Sequence, residues 1–130
     1  MFSTQAERDA GFAGGTLSRF IYWAAMLFAF VMAVMRHPPM LPGEPSDKVQ
    51  HIVAFIVLAL LGRLAYPKTR KRDLLFGLMA FGALIEIAQA LPIVHRDSDP
   101  LDWVADTAAA LTVFVIVALW TRFRDERPNA

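Results

Sequence analysis

Four long apolar runs, each separated from the next by charged or proline-rich sequence, organise this chain. The first, Phe20 to Met35 (FIYWAAMLFAFVMAVM), carries no charge and is bracketed by Arg19 and Arg36, whose long side chains can snorkel to lipid headgroups. The second, Val49 to Tyr66, starts polar and holds Arg63 near its end. Its uninterrupted apolar length falls short of the roughly 20 residues that cross a bilayer, so it needs partner helices. The third, Leu74 to Val94, is long enough but contains Glu86 and Gln89, and the fourth, Trp103 to Trp120, contains Asp106. Each of these polar residues must face protein or water. Helices of a soluble bundle would carry a polar stripe with a period near 3.6 residues. Between Ala108 and Trp120 every position but Thr112 is apolar, so no water-facing stripe exists. The pattern predicts an all-α, single-domain integral membrane bundle over residues 1–130, with helices at 20–35, 49–66, 74–94 and 103–120 between short tails.

Boundary residues agree with this division. Asp47 precedes the second run with Gln50 three residues on, and Asp73 directly precedes the third; both positions suit an N-cap. The fourth run opens Asp99-Pro100-Leu101-Asp102, which reads as an N-cap, a proline at N1 and an acid at N3. His37 to Asp47 (HPPMLPGEPSD) is too proline-rich for helix or sheet and must connect. A cleaved signal peptide is the competing account of the first run. The basic residues begin late, however, and MRHPPML offers no small-residue cleavage site, so a retained helix is expected. Gly77, Gly82 and the series Ala105, Ala108, Ala109 suit close helix packing. Tyr22, Trp23, Tyr66, Trp103 and Trp120 lie near run ends, where amphipathic rings prefer the membrane interface.

Composition adds exclusions. Of 130 residues 56% are hydrophobic and 19% charged, below the quarter or so of soluble domains, and ten Phe with three Trp rule out a solvated disordered chain. With no Cys, disulfides, thiolate catalysis and sulfur-ligated metals are excluded. The net charge of +1 gives no reason to expect a nucleic acid partner. Placement of charge says more than its sum. Arg8 and Arg19 precede the first run, Lys68, Arg70, Lys71 and Arg72 separate the second from the third, and Arg122, Arg124 and Arg127 follow the fourth. The opposite connections hold only Arg36, Lys48 and Arg96, alongside Glu44, Asp47, Asp97, Asp99 and Asp102. By the positive-inside rule both termini should be cytoplasmic.

That orientation collects the chemically able residues at the outer side: Asp47, Lys48 and His51 on the second helix, Glu86 and Gln89 on the third, Arg96 in the next loop, Asp102 and Asp106 on the fourth. Asp47 with His51, Glu86 with Gln89 and Asp102 with Asp106 each share a helix face. Glu86 is the strongest candidate, because an acid within an apolar span is costly unless paired or neutralised. Lys48, His51 or Arg96 should supply its partner. His51 suits a proton carrier or ligand, or else an interhelical hydrogen bond to Asp47 or Glu86. Asp102 fits a helix cap, whereas Asp106 lies a turn too deep for capping. Arg96 suits an anion, since a guanidinium grips phosphate or carboxylate bidentately. Imidazole with carboxylates could in principle bind zinc, manganese or iron, but no HExxH occurs, and neither a metal nor another cofactor is expected.

The blocks DKVQHIVAFIVLAL, GALIEIAQALPIVHR and DPLDWVADTAAA resemble the pattern D-K-x-x-H-x-x-x-F, E-x-x-Q with a following Arg, and D-x-x-x-N/D of the VanZ-like membrane proteins. The resemblance covers about Asp47 to Leu119 in three blocks of matching order. It departs where the family commonly has Asn and then Gly and this chain has Asp106 and Ala109. The resemblance implies a bacterial multi-pass protein of the plasma membrane and cell envelope, in a family named for a teicoplanin-resistance member, with no settled catalytic mechanism. Three functions follow as expectations: binding of a lipid headgroup, lipid-linked cell-wall precursor or glycopeptide-like compound at the outer cluster; a membrane-embedded hydrolase or transferase acting on a lipid-linked substrate; or a structural subunit among other envelope proteins. No nucleophile motif is seen, which disfavours the second.

Overall fold

The computed structural model describes residues 12–35, 42–43 and 46–127. Arg8, Arg36, Glu44 and nearly all of the proline-rich connection lie outside the described residues. Four helices run α1 Thr16–Val34, α2 Asp47–Ala65, α3 Lys71–Ala90 and α4 Pro100–Asp125, and among the described residues there is no strand. Each helix is long and apolar enough to cross a membrane.

The helix ends follow local chemistry. α2 is capped by Ser46, whose side chain accepts from the Val49 amide at 3.3 Å. Asp47, expected as the cap, sits at N1 instead. α3 begins after Arg70 without a side-chain cap, and Asp73 lies inside its first turn rather than before it, where a carboxylate still favours the helix dipole. α3 stops at Ala90, four residues short of the expected Val94, because Leu91 precedes Pro92 and takes an extended conformation (φ −70°, ψ 130°). The loop that follows turns through His95 in the left-handed region (φ 53°). α4 starts as its sequence proposed: Asp99 accepts from the Leu101 amide at 3.0 Å, and Pro100 leads the helix. It runs past Trp120 to Asp125, with Arg122 and Arg124 in its last turn, where cations favour the dipole. Thr112, the lone polar residue of its apolar run, bonds back to the Ala108 carbonyl at 2.7 Å.

The connections alternate direction, so α1 and α3 end where α2 and α4 begin. α2 is the central element, packing on α1, α3 and most extensively on α4. The interior stripe of α3 shows why: Leu74, Leu78, Gly82, Ile85 and Gln89 recur at three- and four-residue spacing and are all buried. Leu74, Leu78 and Ile85 join Phe55, Leu58 and Ala59 of α2 and Ala110, Val113 and Phe114 of α4 in one core. The outer faces are apolar too, with Phe28 at 67%, Ile87 at 64% and Ile116 at 59% exposed.

At the end where α1 begins and α2 finishes, aromatic rings form the contact. Tyr22 packs edge-on against Trp23 and Tyr66, Trp23 donates to the Tyr66 hydroxyl at 2.8 Å, and the Arg19 guanidinium lies 5.0 Å over the Tyr66 ring. Tyr22 is buried, because Gly62 leaves room for its ring; a Cβ there would stand 3.1 Å from it. The aromatic belt expected from sequence is therefore partly an internal contact. Trp103 likewise turns inward, donating to the Met79 carbonyl at 2.9 Å over Gly82.

Gly82 and Gly77 differ in consequence. A Cβ at Gly82 would lie 3.1 Å from Trp103 and 3.4 Å from Phe55, whereas one at Gly77 meets nothing within 4 Å, so Gly77 is not a packing glycine. The alanine series behaves similarly: Ala110 is buried, but Ala108 is exposed. Gly82→Val should destabilise the bundle by about 1–3 kcal/mol through overpacking. Gly77→Ala should be neutral or gain up to about 1 kcal/mol of helix propensity. Denaturation of the detergent-solubilised variants followed by circular dichroism measures both; equal effects would refute the packing assignment.

Candidate functional site

The starts of α2 and α4 come side by side, so their polar residues meet in pairs at successive depths. Outermost, Lys48 Nζ lies 3.6 Å from Asp102 Oδ1 and 3.9 Å from Asp99 Oδ2. One turn deeper, His51 Nδ1 donates to Asp106 Oδ2 at 3.3 Å, with side chains only 11% and 1% exposed. Arg96 of the α3–α4 loop closes the cluster by reaching Asp47 at 3.5 Å. Asp102 and Glu86 lie near enough to His51 to act on it electrostatically. Six of the eight candidates thus fall in three pairs, Lys48–Asp102, His51–Asp106 and Arg96–Asp47.

Glu86 and Gln89 have other partners. Glu86 Oε2 accepts from the Ser98 hydroxyl at 2.9 Å and from the Asp99 amide at 3.0 Å, and the same hydroxyl donates to the Glu86 main-chain carbonyl at 3.1 Å. None of Lys48, His51 or Arg96, the expected partners, forms an ion pair with Glu86 among the described residues. The carboxylate instead ties the loop and the first amide before α4 to the end of α3. Gln89 Nε2 donates to the Ala33 carbonyl at 2.9 Å, joining the ends of α3 and α1 away from the cluster. Sequence reasoning had no route to Ser98 as a partner, since its spacing from Glu86 depends on the path of the loop.

Several acceptors are left over. Glu86 Oε1, Gln89 Oε1 and Asp106 Oδ1 are buried without a hydrogen-bond donor. A buried polar atom in that state costs about 1–3 kcal/mol, and more where it carries charge. For Asp106, a residue 1% exposed, the imidazole is one donor for two oxygens. Among the described residues no three His, Cys, Asp or Glu side chains converge to hold a metal ion.

His51 also borders an apolar groove of about 380 Å³ between α1 and α2. Its α1 wall is Ala25, Phe28, Ala29, Met32 and Ala33, a single stripe at three- and four-residue spacing. Val49, Val53, Ala54 and Val57 line the α2 side, and Phe55, Leu58 and Ile85 form part of the floor. Between Val49 and Leu58 the helix rises about 14 Å. Sequence reading missed this feature, although Ala25, Ala29 and Ala33 at four-residue spacing are its trace. Comparison with protein-family models, curated proteins and solved structures gives no match for this chain.

The Glu86 contacts generate a graded expectation. Glu86→Gln keeps one carbonyl oxygen to accept from Ser98 and Asp99, and should change stability by less than about 1 kcal/mol. Glu86→Leu strands both donors and should cost about 1–3 kcal/mol. Thermal unfolding in detergent separates the two; an equal loss in both would show that the charge, not the hydrogen bonding, holds the loop. In the same assay, His51→Ala and Asp106→Asn should be non-additive, with a coupling of about 0.5–3 kcal/mol.

Proposed function

We propose that this chain is a multi-pass membrane protein of the VanZ-like type, with both termini cytoplasmic, that binds an envelope lipid or lipid-linked precursor at its outer side. One observation carries the reading: His51 belongs both to the ion-pair cluster and to the apolar groove, so a polar seat and a chain-sized apolar channel are continuous. An amphiphile needs that combination, a few placed polar groups beside an apolar cleft.

The membrane part rests on the apolar outer faces and on charge. At the end where α1 begins, the described residues include nine Lys or Arg (Arg19, Arg63, Lys68, Arg70, Lys71, Arg72, Arg122, Arg124, Arg127) and three acids (Asp73, Asp125, Glu126). The opposite end reverses the balance, which under the positive-inside rule makes it the outer one. The family reading rests on the three sequence blocks, whose His51, Asp102 and Asp106 fall in the cluster.

A second reading, a hydrolase or transferase acting on a lipid-linked substrate, draws on the same pair. Asp106 holds one nitrogen of His51, leaving the other able to accept a proton from a hydroxyl. The resemblance to an envelope family associated with glycopeptide resistance favours binding over this reaction.

Two measurements test the binding reading. With no native Cys, an impermeant maleimide should label Asp97→Cys in intact cells and Arg127→Cys only after permeabilisation. Native mass spectrometry of the purified protein should show a retained lipid, and Ala54→Phe, which fills the groove, should remove it with little change in melting temperature. Reversed labelling would overturn the orientation. Lipid retention indifferent to Ala54→Phe would overturn the groove as the site.

A further inference from the structure

The outer end has a charge imbalance that selects among lipid headgroups. Its described residues carry six carboxylates (Asp47, Glu86, Asp97, Asp99, Asp102, Asp106) against two permanent cations. Both cations are engaged: Lys48 is shared by Asp99 and Asp102, and Arg96, its side chain 14% exposed, is held by Asp47. A phosphate arriving here would have to displace a carboxylate from its cation and then sit among the remaining acids.

The deeper atoms point the same way. Asp106 is 1% exposed, and its Oδ1 has no donor; Glu86 Oε1 is in the same state. These are surplus acceptors, and in an apolar interior their charge acts over several ångströms without contact. His51, which borders the groove, gives one ring nitrogen to Asp106. Its other nitrogen can accept a hydrogen bond while the ring is neutral.

We propose that the lipid bound in this groove carries a protonated amine in its headgroup, seated at His51 and Asp102 beneath Lys48. The inference rests on the lipid-binding reading above and names the headgroup chemistry. An ammonium supplies three N–H donors. One suits the free nitrogen of His51 and another the Asp102 carboxylate, whose side chain is 14% exposed and whose second oxygen is not the one facing Lys48. The acyl chain then follows Val49, Val53 and Val57 into the groove. A soluble amine would gain the electrostatic part alone, without burial of the chain.

The test compares lipids of identical chains. Dioleoyl phosphatidylethanolamine and dioleoyl phosphatidylglycerol are offered in equal amounts to the purified full-length protein, and retained lipid is counted by native mass spectrometry. The aminolipid should be retained about tenfold over the anionic one, the difference of one charge-assisted hydrogen bond. Asp102→Asn should bring the ratio close to one, and soluble ethanolamine in excess should not displace the aminolipid. Equal retention of both lipids, or preference for phosphatidylglycerol, overturns the amine assignment while Ala54 dependence keeps the groove as a lipid site. Displacement by ethanolamine overturns the claim that the amine must be lipid-borne. Retention of neither lipid removes the lipid-binding reading itself.

Discussion

A polar side chain on a helix whose outer face is apolar has one place to go, the interior, and once there it must find a partner. That constraint organises the end of this bundle where α2 and α4 begin. Asp106 and His51 satisfy it together, and in doing so they fix α4 against α2. Glu86 satisfies it with the Ser98 hydroxyl and the Asp99 amide, drawing the loop across the end of α3 and setting where α4 starts. Gln89 satisfies it with the Ala33 carbonyl and holds α1 to α3. Each contact joins two elements that the apolar core alone would leave free to slide, since Leu, Ile and Phe pack without direction while a hydrogen bond in an apolar medium is strong and directional.

The two ends of the bundle solve the same problem differently. Where α1 begins and α2 finishes, Tyr22, Trp23 and Tyr66 interlock with Arg19, and the main chain of Gly14 donates to the Leu64 carbonyl at 2.8 Å. Arg63 turns back to the Pro67 carbonyl. This end is closed by rings and main-chain bonds, with its positive charges outside. At the other end the polar partners are charged and incompletely matched, and the wall between α1 and α2 is open along small residues. Partnered rings and main-chain bonds are concentrated at one end and unpartnered acceptors at the other.

Surplus acceptors and a groove occur together at this end of the bundle. A network serving stability alone tends to match its charges, because a carboxylate oxygen buried without a donor weakens the fold. Here Asp106 Oδ1 and Glu86 Oε1 remain unmatched, and His51, the partner of Asp106, borders a cleft lined with alanines and valines.

The sequence by itself determined four helices, because apolar runs near bilayer length leave their backbone no other way to satisfy its hydrogen bonds. It also determined the start of α4, since Asp99, Pro100 and Asp102 act within a single turn, and it put the candidate residues at one end, since that follows from the alternation of helix direction. The end of α3 at Pro92 was readable too, though the apolar run continued past it and masked the stop. The pairing was decided by tertiary structure. Whether Glu86 meets Lys48 or Ser98, and whether Tyr22 faces lipid or Gly62, depends on helix rotation and on the path of a loop, which no spacing along one helix encodes. The groove is of the same kind: Ala25, Ala29 and Ala33 mark a face of α1, but a cleft exists only once α2 stands at the distance and angle that leave that face unfilled.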